Sequence, residues 1–141
     1  MKLSTRARYG TRMMLELALR YGQGPILLKD ICKSQEVSLK YLSQLIIPLK
    51  IAGLVNSSRG FHGGYFLSRS PDRIRLSEII NALEGSTNIT ECIANPEICT
   101  RSGGCTTRDI WGEISRKYFE TLDSYTLERI ATLHKTKQKT I

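Results

Sequence analysis

No apolar run in this 141-residue chain approaches the ~18 residues that cross a bilayer, because Lys, Arg, Glu or Asp interrupts every candidate. The opening residues Met1-Lys2-Leu3-Ser4-Thr5-Arg6 lack the continuous apolar stretch and small-residue cleavage site of a secretory signal. The expectation is a soluble, cytoplasmic chain with no membrane partner. Catalytic patterns are missing too. No nucleophile–base pair, phosphate loop or paired carboxylate site rises above background, which argues against an enzyme. Cysteine pairs at the two-residue spacing from which zinc fingers build each half of a tetrahedron are also absent. The length suits one domain, or one domain and an appendage, and excludes a large two-domain enzyme.

What is present is positive charge, unevenly divided. Residues 1–75 carry 13 Lys/Arg against 4 Asp/Glu, a net of +9, whereas residues 76–141 carry 8 against 9, a net of −1. Surface solubility alone would account for a basic balance. Its confinement to one half is more simply read as a polyanion-binding half joined to a neutral one. A membrane surface is anionic as well, but no basic amphipathic helix with bulky apolar anchors is evident.

Apolar spacing gives the elements. Gly10, Met13, Met14, Leu17, Ala18 and Tyr21 recur at helical intervals behind Ser4, a plausible N-cap, and Gly22-Gln23-Gly24-Pro25 ends that helix. A short helix is expected from about Leu28 to Ser34, then a tight connection at Val37. Ser38 caps a third helix whose stripe is Leu42, Leu45, Ile46 and Leu49, with a kink or loosening expected at Pro48 and a stop at Gly53. Residues 54–58 and 64–68 read as two strands around the Gly-rich tip Arg59-Gly60-Phe61-His62-Gly63. Leu76, Ile79, Ile80 and Leu83 mark a fourth helix closed by Gly85. Residues 86–105 show no period. A long helix follows, with Ile110, Ile114, Tyr118, Leu122 and Tyr125 on one stripe and Trp111 expected to pack it against the domain. Thr126 caps a short final helix, and the tail from Lys135 to Lys139 is expected to fray.

Helix, short helix, tight turn, helix and basic hairpin are, in order, a winged helix-turn-helix. In that arrangement the third helix enters the major groove N-terminus first and the hairpin reaches the neighbouring minor groove. Ser38, Lys40, Tyr41 and Gln44 are the candidate groove-facing residues, polar-tipped and off the apolar stripe; Tyr41 also reads as half-core and Gln44 as simply solvated. Arg59 suits a narrow, electronegative minor groove, and Gly60 permits close backbone approach. Thr5, Arg6 and Arg8 are candidate phosphate contacts. The expected class is mostly α with a small β-hairpin wing. Residues 1–85 form the DNA-binding domain, 86–106 a cysteine-rich loop, 107–134 a dimerisation helix with a short terminal helix, and 135–141 a basic tail.

Of four cysteines, three fall in that loop. Cys92, Cys99 and Cys105 stand in a C-x6-C-x5-C spacing, and Cys32 lies apart, read as a small core hydrophobe. Loose gaps let three thiolates converge without fixing the backbone. That favours an iron–sulfur cluster over structural zinc, with redox-active thiols a third reading. Ser102-Gly103-Gly104 offers backbone N–H groups to cluster sulfides. An electron carrier could use the same thiols, but it has no use for a major-groove helix or an Arg59 hairpin.

The opening Met1-Lys2-Leu3-Ser4-Thr5-Arg6-Ala7-Arg8-Tyr9-Gly10 resembles that of the Rrf-two family of winged-helix regulators, of IscR, NsrR and CymR type. So do Ser38-Leu39-Lys40-Tyr41-Leu42-Ser43-Gln44-Leu45, Ala52-Gly53-Leu54-Val55, Arg59-Gly60 and Gly63-Gly64-Tyr65. The likeness runs ungapped from Met1 to about Leu83 and resumes at the cysteine loop and Trp111. It implies a homodimeric, bacterial-type transcription regulator that binds a double-stranded DNA operator and pairs through the long helix. It also implies that Cys92, Cys99 and Cys105 match three thiolates of a cluster, 2Fe–2S in preference with 4Fe–4S compatible, that senses iron–sulfur, redox or nitric oxide status. The chain departs from the family at several points. The first cysteine gap is one residue longer than in IscR. Arg108 stands where the IscR branch has a His ligand, Arg8 where another branch lends an acid from the partner's first helix, and Ser43 where the IscR branch has an acid. Asp109, Glu91, Glu97 and a small exogenous ligand are the candidates for a fourth ligand. A zinc-binding or cluster-free regulator responding to thiols or metabolites is the alternative.

Overall fold

The computed structural model describes residues 2–141; Met1, first residue of the opening motif, lies outside them. Helix α1 spans Thr5–Leu19, and the Ser4 side chain accepts the backbone N–H of Ala7 at its start. After a glycine-rich connection come α2, Leu28–Gln35, and α3, Leu39–Ile51. The turn between them is made by Glu36 in the left-handed conformation, φ 53°. Ser38 caps α3 by accepting from the Tyr41 N–H at 3.2 Å. Pro48 interrupts neither the helix assignment nor its C-terminal bonding: the Ala52 N–H donates to the Pro48 carbonyl at 2.9 Å.

Strands β1, Val55–Ser58, and β2, Gly64–Leu67, pair antiparallel with Val55 opposite Leu67 and Ser58 opposite Gly64. A third strand position is supplied by one residue of the α1–α2 connection. Ile26 and Tyr65 exchange backbone hydrogen bonds at 2.8 Å in both directions. Helix α4, Leu76–Glu84, then returns over α1 and α3. One core is shared by Met13, Met14 and Leu17 of α1, Ile31 of α2, Leu42, Leu45 and Leu49 of α3, and Ile79 and Leu83 of α4. The apolar stripes placed by spacing are therefore the buried faces, and each such side chain contributes about 1.5–3 kcal/mol of burial.

The C-terminal part differs from expectation in three places. Residues 86–105 contain a one-turn helix, α5, Glu91–Ala94, and two 3-10 turns, Pro96–Ile98 and Ser102–Gly104. Such short turns leave no period in a sequence. On α6, Thr106–Asp123, some apolar residues are covered and others are left exposed. Ser115 is buried and Tyr118 and Leu122 half-buried where α6 lies against α4, while Ile110, Trp111, Ile114 and Phe119 are exposed. Trp111, in the N-terminal half of α6, is 41% exposed. Helix α7, Leu127–Lys139, continues through the residues expected to fray. The Thr132, Thr136 and Thr140 hydroxyls donate to carbonyls four residues back, and Lys137 and Lys139 suit the negative end of the helix dipole. Helix α7 packs on α1, with Leu127 in the common core, so this segment is part of the N-terminal body.

Candidate nucleic-acid interface and cysteine loop

The first turns of α3 and the wing present the residues singled out by sequence. Ser38, Lys40 and Gln44 are exposed on α3, Thr5, Arg6 and Arg8 on α1, and Arg59 and Gly60 at the hairpin tip. Tyr41 is half-buried instead, its ring edge-on to Tyr9 with centroids 6.0 Å apart. The Arg12 guanidinium also lies over Tyr9, 5.1 Å from the ring centre. Arg12 Nε also donates to Gln35 Oε1 at 2.7 Å, and Gln35 Nε2 donates to Glu16 Oε1 at 2.7 Å. Sequence reading missed this brace. It joins α1 to the end of α2 and to the start of α3, and its members lie 19 and 23 residues apart, beyond any local pattern. Between Glu36 and Asp72 the chain has no Asp or Glu, while Lys40, Lys50, Arg59 and Arg69 all fall there.

The wing is set by close contact. A Cβ on Gly64 would lie 2.5 Å from the Ile26 carbonyl oxygen, and its φ is +150°. On β1, one pair away from Gly64, Lys50 Nζ donates to Ser57 Oγ at 2.9 Å, fastening the end of α3 to the hairpin.

The three loop cysteines are free thiols, Cys99 exposed and Cys92 and Cys105 half-buried. Cys105 stands at the N-cap of α6, where the Thr107 hydroxyl, 3.2 Å away, and the Arg108 backbone hold its thiol below the usual range. Burial pushes the Cys32 thiol the other way, as befits its place against the core. Thiolates are the soft donors that iron–sulfur clusters take, so the donor set fits such a group. The buried Ser102 hydroxyl, between Cys99 and Cys105, has no hydrogen-bond partner and so has capacity to spare. Among the described residues, however, no three His, Cys, Asp or Glu side chains are gathered closely enough to hold a metal ion. Binding would require the loop to draw its thiols together. The expected free N–H groups of Ser102 and Gly104 are engaged, donating to the Cys99 and Arg101 carbonyls at 3.1 Å.

Two bonds tie this loop to α6. Arg108 Nε donates to the Cys92 carbonyl at 2.8 Å, and the Ile89 N–H donates to the buried Ser115 Oγ at 3.0 Å. Helix α6 is in turn held to α4 at its far end: Ser77 Oγ donates to Asp123 Oδ1 at 2.5 Å, and Arg75 Nη1 to the Asp123 carbonyl at 2.6 Å.

A helical core carrying a two-stranded wing, with its acid-free stretch on α3 and the hairpin, defines a winged-helix protein of the transcription-regulator class. The comparisons agree. Residues 3–132 match the family model Rrf2, described as an iron-dependent transcriptional regulator. The chain is 42% identical over 132 residues to the HTH-type transcriptional regulator CymR of Bacillus subtilis, covering 94% of this chain and 91% of that one. The solved structure of that protein, titled the global cysteine regulator, superposes with a TM-score of 0.78 at 41% identity over 94% of this chain and 98% of that chain. A structure of T. potens IscR superposes equally well, TM-score 0.78 at 36% identity, over 100% of this chain and 92% of that one. The protein Rrf2 of Nitratidesulfovibrio vulgaris is 41% identical over 127 residues, 90% of this chain and 85% of that one. The chain belongs to the Rrf2 family of transcriptional regulators.

Proposed function

We propose that this protein is a homodimeric regulator that binds operator DNA through α3 and the wing, and whose grip on DNA follows the state of the Cys92–Cys105 loop. The observation that carries this is the chain of bonds just described. Arg108 and Ser115 fix the loop to α6, and Ser77 and Arg75 fix α6 to the body that bears α3. Cys92, Cys99 and Cys105 would hold an iron–sulfur cluster, which when bound supplies a centre reactive toward oxidants and nitric oxide. Arg108 directs its guanidinium to the Cys92 carbonyl and offers no ligand atom, so a fourth ligand falls to Asp109, Glu91, Glu97 or an exogenous group. Ser38, Lys40 and Gln44 would meet base edges and phosphates, Thr5, Arg6 and Arg8 the backbone, and Arg59 and Gly60 the minor groove, with Tyr41 braced between groove and core. An absorbance spectrum of anaerobically purified protein, with iron and sulfide analysis and a DNA shift assay, tests the reading. Colour with no DNA affinity at all would sink it.

A second reading is supported by the dispersed thiols and by the relative titled a cysteine regulator. In it the same protein binds DNA without a cluster and answers to thiol chemistry. Absence of iron and sulfide from anaerobic protein that still binds DNA selects this version.

Arg59→Ala is expected to weaken binding to a selected operator more than to random DNA, because a single long cation at the wing tip reads groove shape. Titration of both DNAs at one salt concentration checks it, and equal losses would reduce Arg59 to a phosphate contact. Assembly has its own test. Ile110, Trp111 and Ile114 leave the N-terminal half of α6 with an apolar, uncovered face, between 41% and 48% exposed, and a second copy of α6 is its natural cover. Two recognition helices would then face half-sites about one helical turn apart or a multiple of it, ~34 Å each. Sedimentation should show a dimer at micromolar concentration, and a monomer in both apo and cluster-loaded protein would refute the pairing.

A further inference from the structure

The wing tip carries a side chain that neither the core nor the contacts above employ. Phe61 is 96% exposed, against 50% for Tyr21 and 41% for Trp111. Its ring stands edge-on to His62, with centroids 5.1 Å apart and planes at 86°. The backbone beneath it is stiff. The Gly63 N–H donates to the Gly60 carbonyl at 3.0 Å, closing a four-residue turn around Phe61 and His62. Gly60 has φ +103°, and a Cβ on Gly63 would lie 2.5 Å from the Ser58 carbonyl oxygen. The tip therefore projects a large apolar ring from a rigid turn, next to Arg59, in a stretch with four cations and no carboxylate from residue 37 to residue 71.

That setting selects the kind of surface that covers the ring. A partner protein offering basic side chains is repelled, and an ordinary apolar patch makes no use of Arg59. A DNA minor groove supplies both parts, phosphates for the cation and a stack of apolar base faces that a wedge can enter once a step is opened. Ordering costs are small, because the turn already holds the ring outward.

We propose that Phe61 is a wedge that packs into the minor groove beside Arg59 and partly unstacks one base step under each wing, bending the DNA. This rests on the operator-binding reading above. The unstacking is least costly at flexible pyrimidine–purine steps. The wing accordingly imposes a sequence preference at a position where no side chain hydrogen-bonds a base.

The full-length protein is used to select duplexes from a random-sequence library, and the best-bound duplex is resynthesised with 2-aminopurine at successive positions beneath the wings. The unaltered protein should raise 2-aminopurine fluorescence at one step per half-site, the sign of lost stacking. Phe61→Ala should abolish that rise and weaken binding to the selected duplex by roughly 5- to 150-fold for each half-site, the range of one base–aromatic contact, with a smaller loss on random DNA. Phe61→Leu, still a wedge, should keep part of both signals. Thermal melting of each variant should match the unaltered protein, since the ring supports nothing in the fold. Two outcomes overturn the wedge while leaving the regulator reading intact: Phe61→Ala binding and perturbing the duplex as the unaltered protein does, or an unaltered protein that binds tightly with no fluorescence rise at any step. A protein that selects no duplex removes the operator-binding reading, and the wedge with it.

Discussion

Replacing Cys92, Cys99 and Cys105 together by Ala is expected to leave anaerobically purified protein colourless and to change its affinity for a selected operator by roughly 5- to 150-fold, the span of ordinary allosteric coupling. The size follows from how the loop is attached. Drawing three separated thiols together must move the segment around Cys92. The Arg108 and Ile89 bonds pass that displacement to the first half of α6. The far half is bonded to α4 through Asp123, so α6 responds by changing its angle to the body rather than by sliding freely. If α6 pairs two chains, a change of angle resets the separation of two recognition helices, and a rigid operator penalises a misfit at both half-sites. Cys32→Ala is the control. Its thiol sits against the core on α2, and the variant should keep its colour. A triple variant that stays coloured would show that the ligands lie elsewhere. One that loses colour yet binds every operator unchanged would uncouple the loop from DNA.

The second large effect is expected at a residue with no chemistry. Gly64→Ala should lower unfolding free energy by about 1–3 kcal/mol, because the added methyl meets the Ile26 backbone and the residue's φ is one that side chains resist. The neighbour is backbone, not the flexible end of a side chain, so relief comes only by parting Ile26 from Tyr65. Those residues exchange two hydrogen bonds that hold the wing to the α1–α2 connection. Operator affinity should therefore fall together with stability. Urea unfolding of Gly64→Ala beside Gly103→Ala gives the comparison, since no atom lies within 4 Å of a Cβ added at Gly103. Equal midpoints for the two variants would disprove the steric account.

The N-terminal body was legible because α1 and α3 announce themselves twice, by a cap and by a stripe, and α2 and α4 by their apolar spacing. Ser4 and Ser38 cap as their positions suggest, and Leu42, Leu45, Ile46 and Leu49 are buried as their spacing requires. Farther along, one signal had two sources. Apolar residues on α6 serve a contact with α4 and an uncovered face, and periodicity alone cannot apportion Tyr118 to one and Ile114 to the other. The extent of α7 was hidden by its polarity: Lys135, Lys137 and Lys139 look like a frayed tail, but backbone-bonding threonines and two buried residues, Leu127 and Ala131, carry the helix past them. For the candidate site, sequence found the exposed cations and thiols and missed what orients them. Arg12, Gln35 and Glu16 interact across helices, and Arg108, which departs from the family pattern as a ligand, bonds the Cys92 carbonyl sixteen residues away.

None of residues 86–105 is buried, so the segment that carries the thiols contributes nothing to the shared core. Selection on foldability therefore hardly touches it. Changes in the length or side chains of this segment should cost the fold little, so its response can be altered while the body bearing α3 and the wing stays constant. Grafting a foreign segment between Gly85 and Thr106 should then change what a regulator answers to without requiring the rest of the molecule to evolve again.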